Sequence, residues 1–216
     1  MCKNKGLILV LGFIVLIASP SVSYAALTVF SDSTAFASHG NIIENYGYED
    51  LGTDFTYLSN PWTAHGVTYT TGDNLIVGTG TSYAPISNVF CYNGWTPITA
   101  DIDSASQYSM FGFDLGYLGS NSLLSLDIYT NLNTYNFSNL SVPLASSGFN
   151  FYGFNADEGE YFTSFRIASA AGTGSAPALD NVRLGNVQDV VPEPATLSLL
   201  GLGLSGLLFK RRKRIA

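Results

Sequence analysis

The middle of this chain predicts an all-β fold, a single antiparallel sandwich of jelly-roll-like form. Three observations carry that prediction. Apolar residues recur with period two in short runs rather than with the 3.6-residue period of helices. Gly, Asn, Asp or Pro bounds each run, as in sandwiches and barrels. Finally, Phe, Tyr, Thr and Ser, which suit a pleated surface, are abundant, with 14 Phe and 13 Tyr in 216 residues.

Taken in order, the predicted strands cover residues 27–30, 66–71, 86–92, 108–115, 123–130, 134–137, 149–154, 161–168 and 178–184. The clearest is 123–130, where Leu124, Leu126 and Ile128 alternate with Ser125, Asp127 and Tyr129. In 161–168 the spacing of Phe162, Phe165 and Ile167 breaks strict alternation, which predicts a bulge near Ser164. One helical turn or two is expected at 33–38, capped by Asp32 or Ser33. His65 before Gly66 reads as a turn residue at a strand start.

The ends differ from this middle. Lys3 and Lys5, an apolar stretch from Gly6 to Ala18 and the small-x-small site Ser23-Tyr24-Ala25 make residues 1–25 a secretory signal peptide, to be removed by signal peptidase. Residues 26–190 form the β-sandwich ectodomain. In 191–216, Pro192, Glu193 and Pro194 precede an apolar run, 195–209, and a basic cluster of Lys210, Arg211, Arg212, Lys213 and Arg214. The prolines keep the preceding segment extended. The apolar run inserts in the bilayer as a short transmembrane helix, and the cations hold its end in the cytoplasm. Fifteen residues at ~1.5 Å each cover about 22 Å, short of the ~30 Å hydrocarbon core. That shortness suits a transient signal better than a permanent anchor.

Removing both ends changes the charge. The whole chain has a net charge of −7, but residues 26–190 keep only Arg166 and Arg183 against fifteen acids, a formal charge of −13 with no lysine. Such a surface excludes nucleic acid and anionic lipid as partners. It is compatible with divalent cations and with neutral or cation-bridged polysaccharide. Cys91 is the sole cysteine after residue 25, so the ectodomain has no internal disulfide. A buried thiol and intermolecular pairing are the two readings of it. No Gly-x-Ser-x-Gly elbow, His-Glu-x-x-His helix or phosphate loop occurs, so the expectation is a non-enzymatic protein. A glycan-active hydrolase is the outlying alternative.

The tail resembles that of PEP-CTERM proteins of Gram-negative bacteria, which are read by the membrane protease-transpeptidase exosortase. The resemblance implies export across the inner membrane, transient anchoring there, and delivery to the cell surface or extracellular matrix among the exopolysaccharides of a biofilm. The phrases GYEDLG (from Gly47), HGVTYT (from His65), FGFDLG (from Phe111) and LDNVRLG (from Leu179) are similar to the β-sandwich part of many PEP-CTERM proteins. They also resemble galactose-binding-like jelly rolls among carbohydrate-binding modules. That likeness gives the alternative function, a discrete carbohydrate-binding module stapled by calcium.

Two sets of candidate site residues follow. Glu49 and Asp50 lie early, and Asp180 and Asn181 fall in the last strand. A jelly roll can bring its first and last strands together, and calcium takes six to eight oxygen ligands at ~2.4 Å. The four are therefore the expected structural calcium site, with solvated strand ends as the plainer reading. Trp62 and Trp95 both sit in turn-like contexts. They are either sugar-stacking platforms or plugs closing the sandwich.

Overall fold

The computed structural model describes residues 27–51, 56–78, 89–93, 96–119, 123–156, 159–170 and 175–188. The expected signal peptide, Trp95 and the whole sorting tail lie outside the described residues. In chain order the elements are β1 (Thr28–Phe30), α1 (Ser33–Ala37), β2 (Gly40–Tyr46), β3 (Thr56–Tyr57) and β4 (Trp62–Ala64). Next come β5 (Val67–Thr71), β6 (Asn74–Gly78), β7 (Val89–Asn93), β8 (Ile98–Ile102), β9 (Met110–Gly119) and β10 (Leu123–Thr130). The last are β11 (Thr134–Ser141), β12 (Asn150–Asn155), β13 (Phe162–Ser169) and β14 (Ser175–Val187).

Two antiparallel sheets share a core. The eight-stranded sheet runs β1-β12-β9-β14-β7-β6-β3, with β2 also paired to β14, and the six-stranded sheet runs β11-β10-β13-β8-β5-β4. From β8 onward the chain passes back and forth between the sheets except at the β10–β11 hairpin, the jelly-roll-like feature expected from the sequence. Among the described residues no helix is long and apolar enough to cross a membrane.

Phenylalanine fills the space between the sheets. Phe111 and Phe113 of one sheet meet Phe165 of the other at ring-centroid distances of 4.8 and 5.9 Å. Phe137 reaches back to Phe154 at 5.4 Å. Fully burying a side chain such as Phe111, Phe113, Phe154 or Phe165 contributes about 2–3 kcal/mol. The alternation in β10 is as predicted, with Leu124, Leu126 and Ile128 all buried. The expected irregularity in β13 is also present: Tyr129 pairs with Ser164 and Thr130 with Phe162, leaving Thr163 as the extra residue.

Five strands escape the sequence reading: β2, β3, β4, β6 and β8. Their brevity and polar punctuation explain this. In β6, Asn74 and Gly78 bracket three apolar residues, and in β8 the inward residue between the isoleucines is only Ala100.

The outer face of the larger sheet is covered over β9 and β12. Asp32 caps α1 by accepting the Ala35 N–H at 2.6 Å, and α1 lays the buried Phe36 across β9 and β12. A Cβ at Gly153 would stand 2.7 Å from Phe36 and 2.8 Å from Phe151, so only glycine permits this approach.

Candidate functional site

The margin where β2 meets β4 concentrates the polar chemistry. Among the described residues β2 pairs only with β14, and β4 only with β5. Each is therefore an edge, and side chains close the gap between the sheets. β4 and β5 form a hairpin with Ala64 paired to Val67, so the loop is His65-Gly66. Both loop residues have positive φ, +48° and +77°. That conformation matches strand twist and turns the imidazole outward. Asn60 fixes the approach to Trp62, donating to the Thr71 and Asp73 carbonyls at 2.7 and 2.8 Å.

Across this gap the His65 ring stacks on Tyr46 at 4.2 Å, and its Nδ1 lies 2.9 Å from Glu44 Oε2. Trp62 is half-buried. Its indole stacks on Tyr69 at 5.6 Å and meets Tyr46 and Tyr48 at 6.2 and 6.1 Å. Trp62 is thus packed against the core while remaining part of the outer ring cluster.

Beneath these rings lies a pair of phenols. Tyr48 and Tyr69 are buried and share a hydroxyl hydrogen bond of 2.8 Å. Burial pushes the Tyr48 phenol well above the ordinary tyrosine range, and the neighbouring Tyr69 and the charge of Asp180 add to this. Burial raises Tyr69 as well, with the Tyr48 hydrogen bond pulling partly back. Nearer the surface, Tyr46 donates to Asp50 Oδ1 at 2.5 Å. Partial burial, then this bond and the Asp50 charge, also raise the Tyr46 phenol. Tyr48 itself has φ +61°, a conformation costly for a bulky side chain. Its place between the sheets holds it there.

The first strand, β1, pairs with β12, and it is β2, the second, that lies against the last strand β14. Tyr46 pairs with Val182, and a Cβ on Gly47 would stand 3.2 Å from Asn181 Oδ1, 3.4 Å from Asp180 Oδ1 and 3.9 Å from Glu49 Cγ. Between Asp180 and Arg183 the register with β9 shifts, and Asn181 has φ +48°. This bulge aims Asn181 Nδ2 and Arg183 at Asp114, at 2.9 Å and 3.2 Å from Oδ2. Asp180 Oδ1 accepts the Asn181 N–H at 2.7 Å. Asp50 instead turns to Tyr46. Among the described residues no group of three or more His, Cys, Asp or Glu side chains is arranged to hold a metal ion. A calcium ion here would have to draw on backbone carbonyls or waters as well.

Sequence reasoning singled out Trp62, Glu49, Asp50, Asp180 and Asn181 but missed Glu44, Tyr46, Asp114 and Arg183. The alternation Glu44-x-Tyr46 and the His65-Gly66 turn were available signals. What joins them is the pairing of β2 to β14, which is not visible in the chain.

No curated protein sequence matches this chain. Solved structures similar to it include a family 29 carbohydrate-binding module, 14% identical with a TM-score of 0.39, covering 64% of this chain and 98% of that one. Another is the CBM22-1 xylan-binding domain of Xyn10C from Paenibacillus barcinonensis, 14% identical with a TM-score of 0.41, covering 69% of this chain and 97% of that one. A third is the family 11 carbohydrate-binding module from Clostridium thermocellum, solved with a β-1,3-1,4-mixed-linked tetrasaccharide. It is 13% identical with a TM-score of 0.32, covering 63% of this chain and 98% of that one. At the C-terminus, residues 190–213 match the PEP-CTERM protein-sorting motif, which marks an exported chain for processing by exosortase at the cell envelope.

Proposed function

We propose that this exported chain is a non-enzymatic surface or matrix protein that holds extracellular polysaccharide at the β2–β4 margin. One observation carries the reading: the rings of His65, Tyr46 and Trp62 gather at an open edge, flanked by the carboxylates of Glu44 and Asp50. Sugar rings present C–H faces that stack on aromatic surfaces and hydroxyls that donate to carboxylates, so this pairing suits a glycan. The domain charge of −13 favours neutral or cation-bridged chains over free polyanions. Among the described residues His65 and Glu44 form a base-and-carboxylate pair, but no hydroxyl or thiol bonds to that imidazole. Binding therefore fits the geometry better than nucleophilic catalysis.

A glycan array tests this with wild type, Trp62→Ala and His65→Asn, the last keeping a residue that tolerates positive φ. Saturable binding lost in both variants, with melting curves retained for His65→Asn, supports the reading. Binding unchanged in both removes it. The sequence-level candidate Trp95 belongs in the same array.

A structural calcium ion at Glu49, Asp50, Asp180 and Asn181 is a second proposal, favoured by the close approach of Gly47 to Asp180 and Asn181. A ligand bound only by the native state raises the melting midpoint. A rise in millimolar calcium that chelator reverses and Asp180→Asn abolishes supports it, and superimposable melts overturn it.

A further inference from the structure

The opposite margin of the larger sheet carries a concavity outside the site above. β1 covers β12 only over Gly153 to Asn155, and the chain then turns away at Ser31 towards α1. The first residues of β12, from Asn150 to Tyr152, therefore pair with β9 alone. This step leaves an open groove of ≈ 490 Å³ between Ser31–Ser33 and Phe149–Tyr152. Its size lies within the range of about 300–1,000 Å³ typical of small-ligand sites.

The groove's polar groups have unused hydrogen-bonding capacity. Asp32 spends Oδ1 on the Ala35 N–H, which leaves Oδ2 over. Among the described residues Asp32 Oδ2 and the hydroxyls of Ser31 and Ser33 have no protein partner. Phe151, on the outer face of β12, and Phe149, just before the strand, line the same groove, while Tyr152 on the other face packs against the core. Phe151 is held rigid, with Phe36 at 5.4 Å and the Arg183 guanidinium 5.0 Å from its centroid. A neutral pyranose matches this set: its hydroxyls both donate and accept, and its C–H face lies on a ring. An anionic sugar would meet Asp32 and the strongly negative domain.

Register relates the groove to the β2–β4 margin. Tyr152 pairs with Phe113, Phe113 faces the bulge between Asp180 and Arg183, and Val182 within that bulge pairs with Tyr46. The two places end one row across four strands, three strand spacings or about 14–15 Å apart. We infer that the groove beside β12 is a second sugar site, for a neutral pyranose unit, and that the domain is a bivalent bridge between polysaccharide segments. The groove stands on its own observations, whereas bivalency rests on the margin proposed above.

Calorimetric titration of the full chain in mild detergent, with disaccharides of glucose, mannose and xylose as probes, each too short to occupy both sites at once, counts the sites. The expected stoichiometry is two for wild type and one for Ser31→Trp, which fills the groove from an exposed position. Ser33→Ala removes one groove hydroxyl and is expected to weaken the groove site roughly five- to tenfold, the effect of a lost hydrogen bond. A stoichiometry of one, abolished by His65→Asn and unmoved by Ser31→Trp, overturns the groove and leaves the margin standing. A stoichiometry of one abolished by Ser31→Trp supports the groove but overturns bivalency and the margin. No binding of any probe overturns both sites.

Discussion

Replacing Glu160 by Ala is expected to destabilise the domain substantially, because this acid is 2% exposed and holds two loops together. Its carboxylate accepts from Thr130 Oγ1, from Asn133 Nδ2 at 3.1 Å and from the Tyr135 hydroxyl at 3.1 Å to both oxygens. All three donors come from the β10–β11 hairpin. On truncation, Thr130 keeps a second acceptor, the Asn133 carbonyl at 3.2 Å. Asn133 and Tyr135 lose the carboxylate, and each lost bond costs about 1–3 kcal/mol, less where water or another group takes its place. Asn133 is exposed, so the sum is about 2–4 kcal/mol. For a domain of this size that lowers Tm by about 5–15 °C. Glu160→Gln keeps the shape and one acceptor oxygen and should fall by roughly half as much. Differential scanning calorimetry of both variants is the assay. An Ala variant melting with wild type would refute the hub.

Other predictions concern packing and pH. Gly153→Ala forces a methyl group against Phe36 and Phe151 and should cost about 1–3 kcal/mol, read as a lowered urea midpoint. An unchanged midpoint would mean that α1 lifts away freely. The raised phenols of Tyr46, Tyr48 and Tyr69 make stability alkali-sensitive. Unfolded tyrosines ionise near pH ~10, while these three stay protonated in the fold, so the native state binds more protons. Their contribution is full below pH ~10 and is lost as pH rises towards the folded values. Urea titrations should therefore show stability falling above pH ~10, less steeply in Tyr48→Phe. A flat profile from pH 9 to 11, or an equal slope in the variant, would contradict this.

Much of the fold could be read from the sequence where burial and alternation coincide. β10 spans the predicted residues, and the broken spacing of Phe162, Phe165 and Ile167 marked a bulge displaced by only one residue, to Thr163. The short helix and its Asp32 cap were legible because capping is local chemistry. β2 was not, since Asn41, Ile43 and Asn45 all point to solvent and Ile43 is itself displaced by a bulge against β14. The same limit applies to the site. Trp62 stood out by residue type, but the nearness of Gly47 to Asp180 and Asn181 comes from β2, a strand that alternation did not reveal. The stacking of His65 on Tyr46, the bond between Arg183 and Asp114 and the groove beside β12 depend on long-range register. No local pattern encodes that register.

Export is the claim on which the proposed role depends, and intact-mass analysis of the protein released from the cell surface tests it most directly. Processing at the sorting motif predicts a C-terminus near Pro192 to Pro194, with the apolar run and the cluster from Lys210 to Arg214 absent. Recovery of surface protein that still carries Lys210 to Arg214 would contradict it and make the tail a plain membrane anchor.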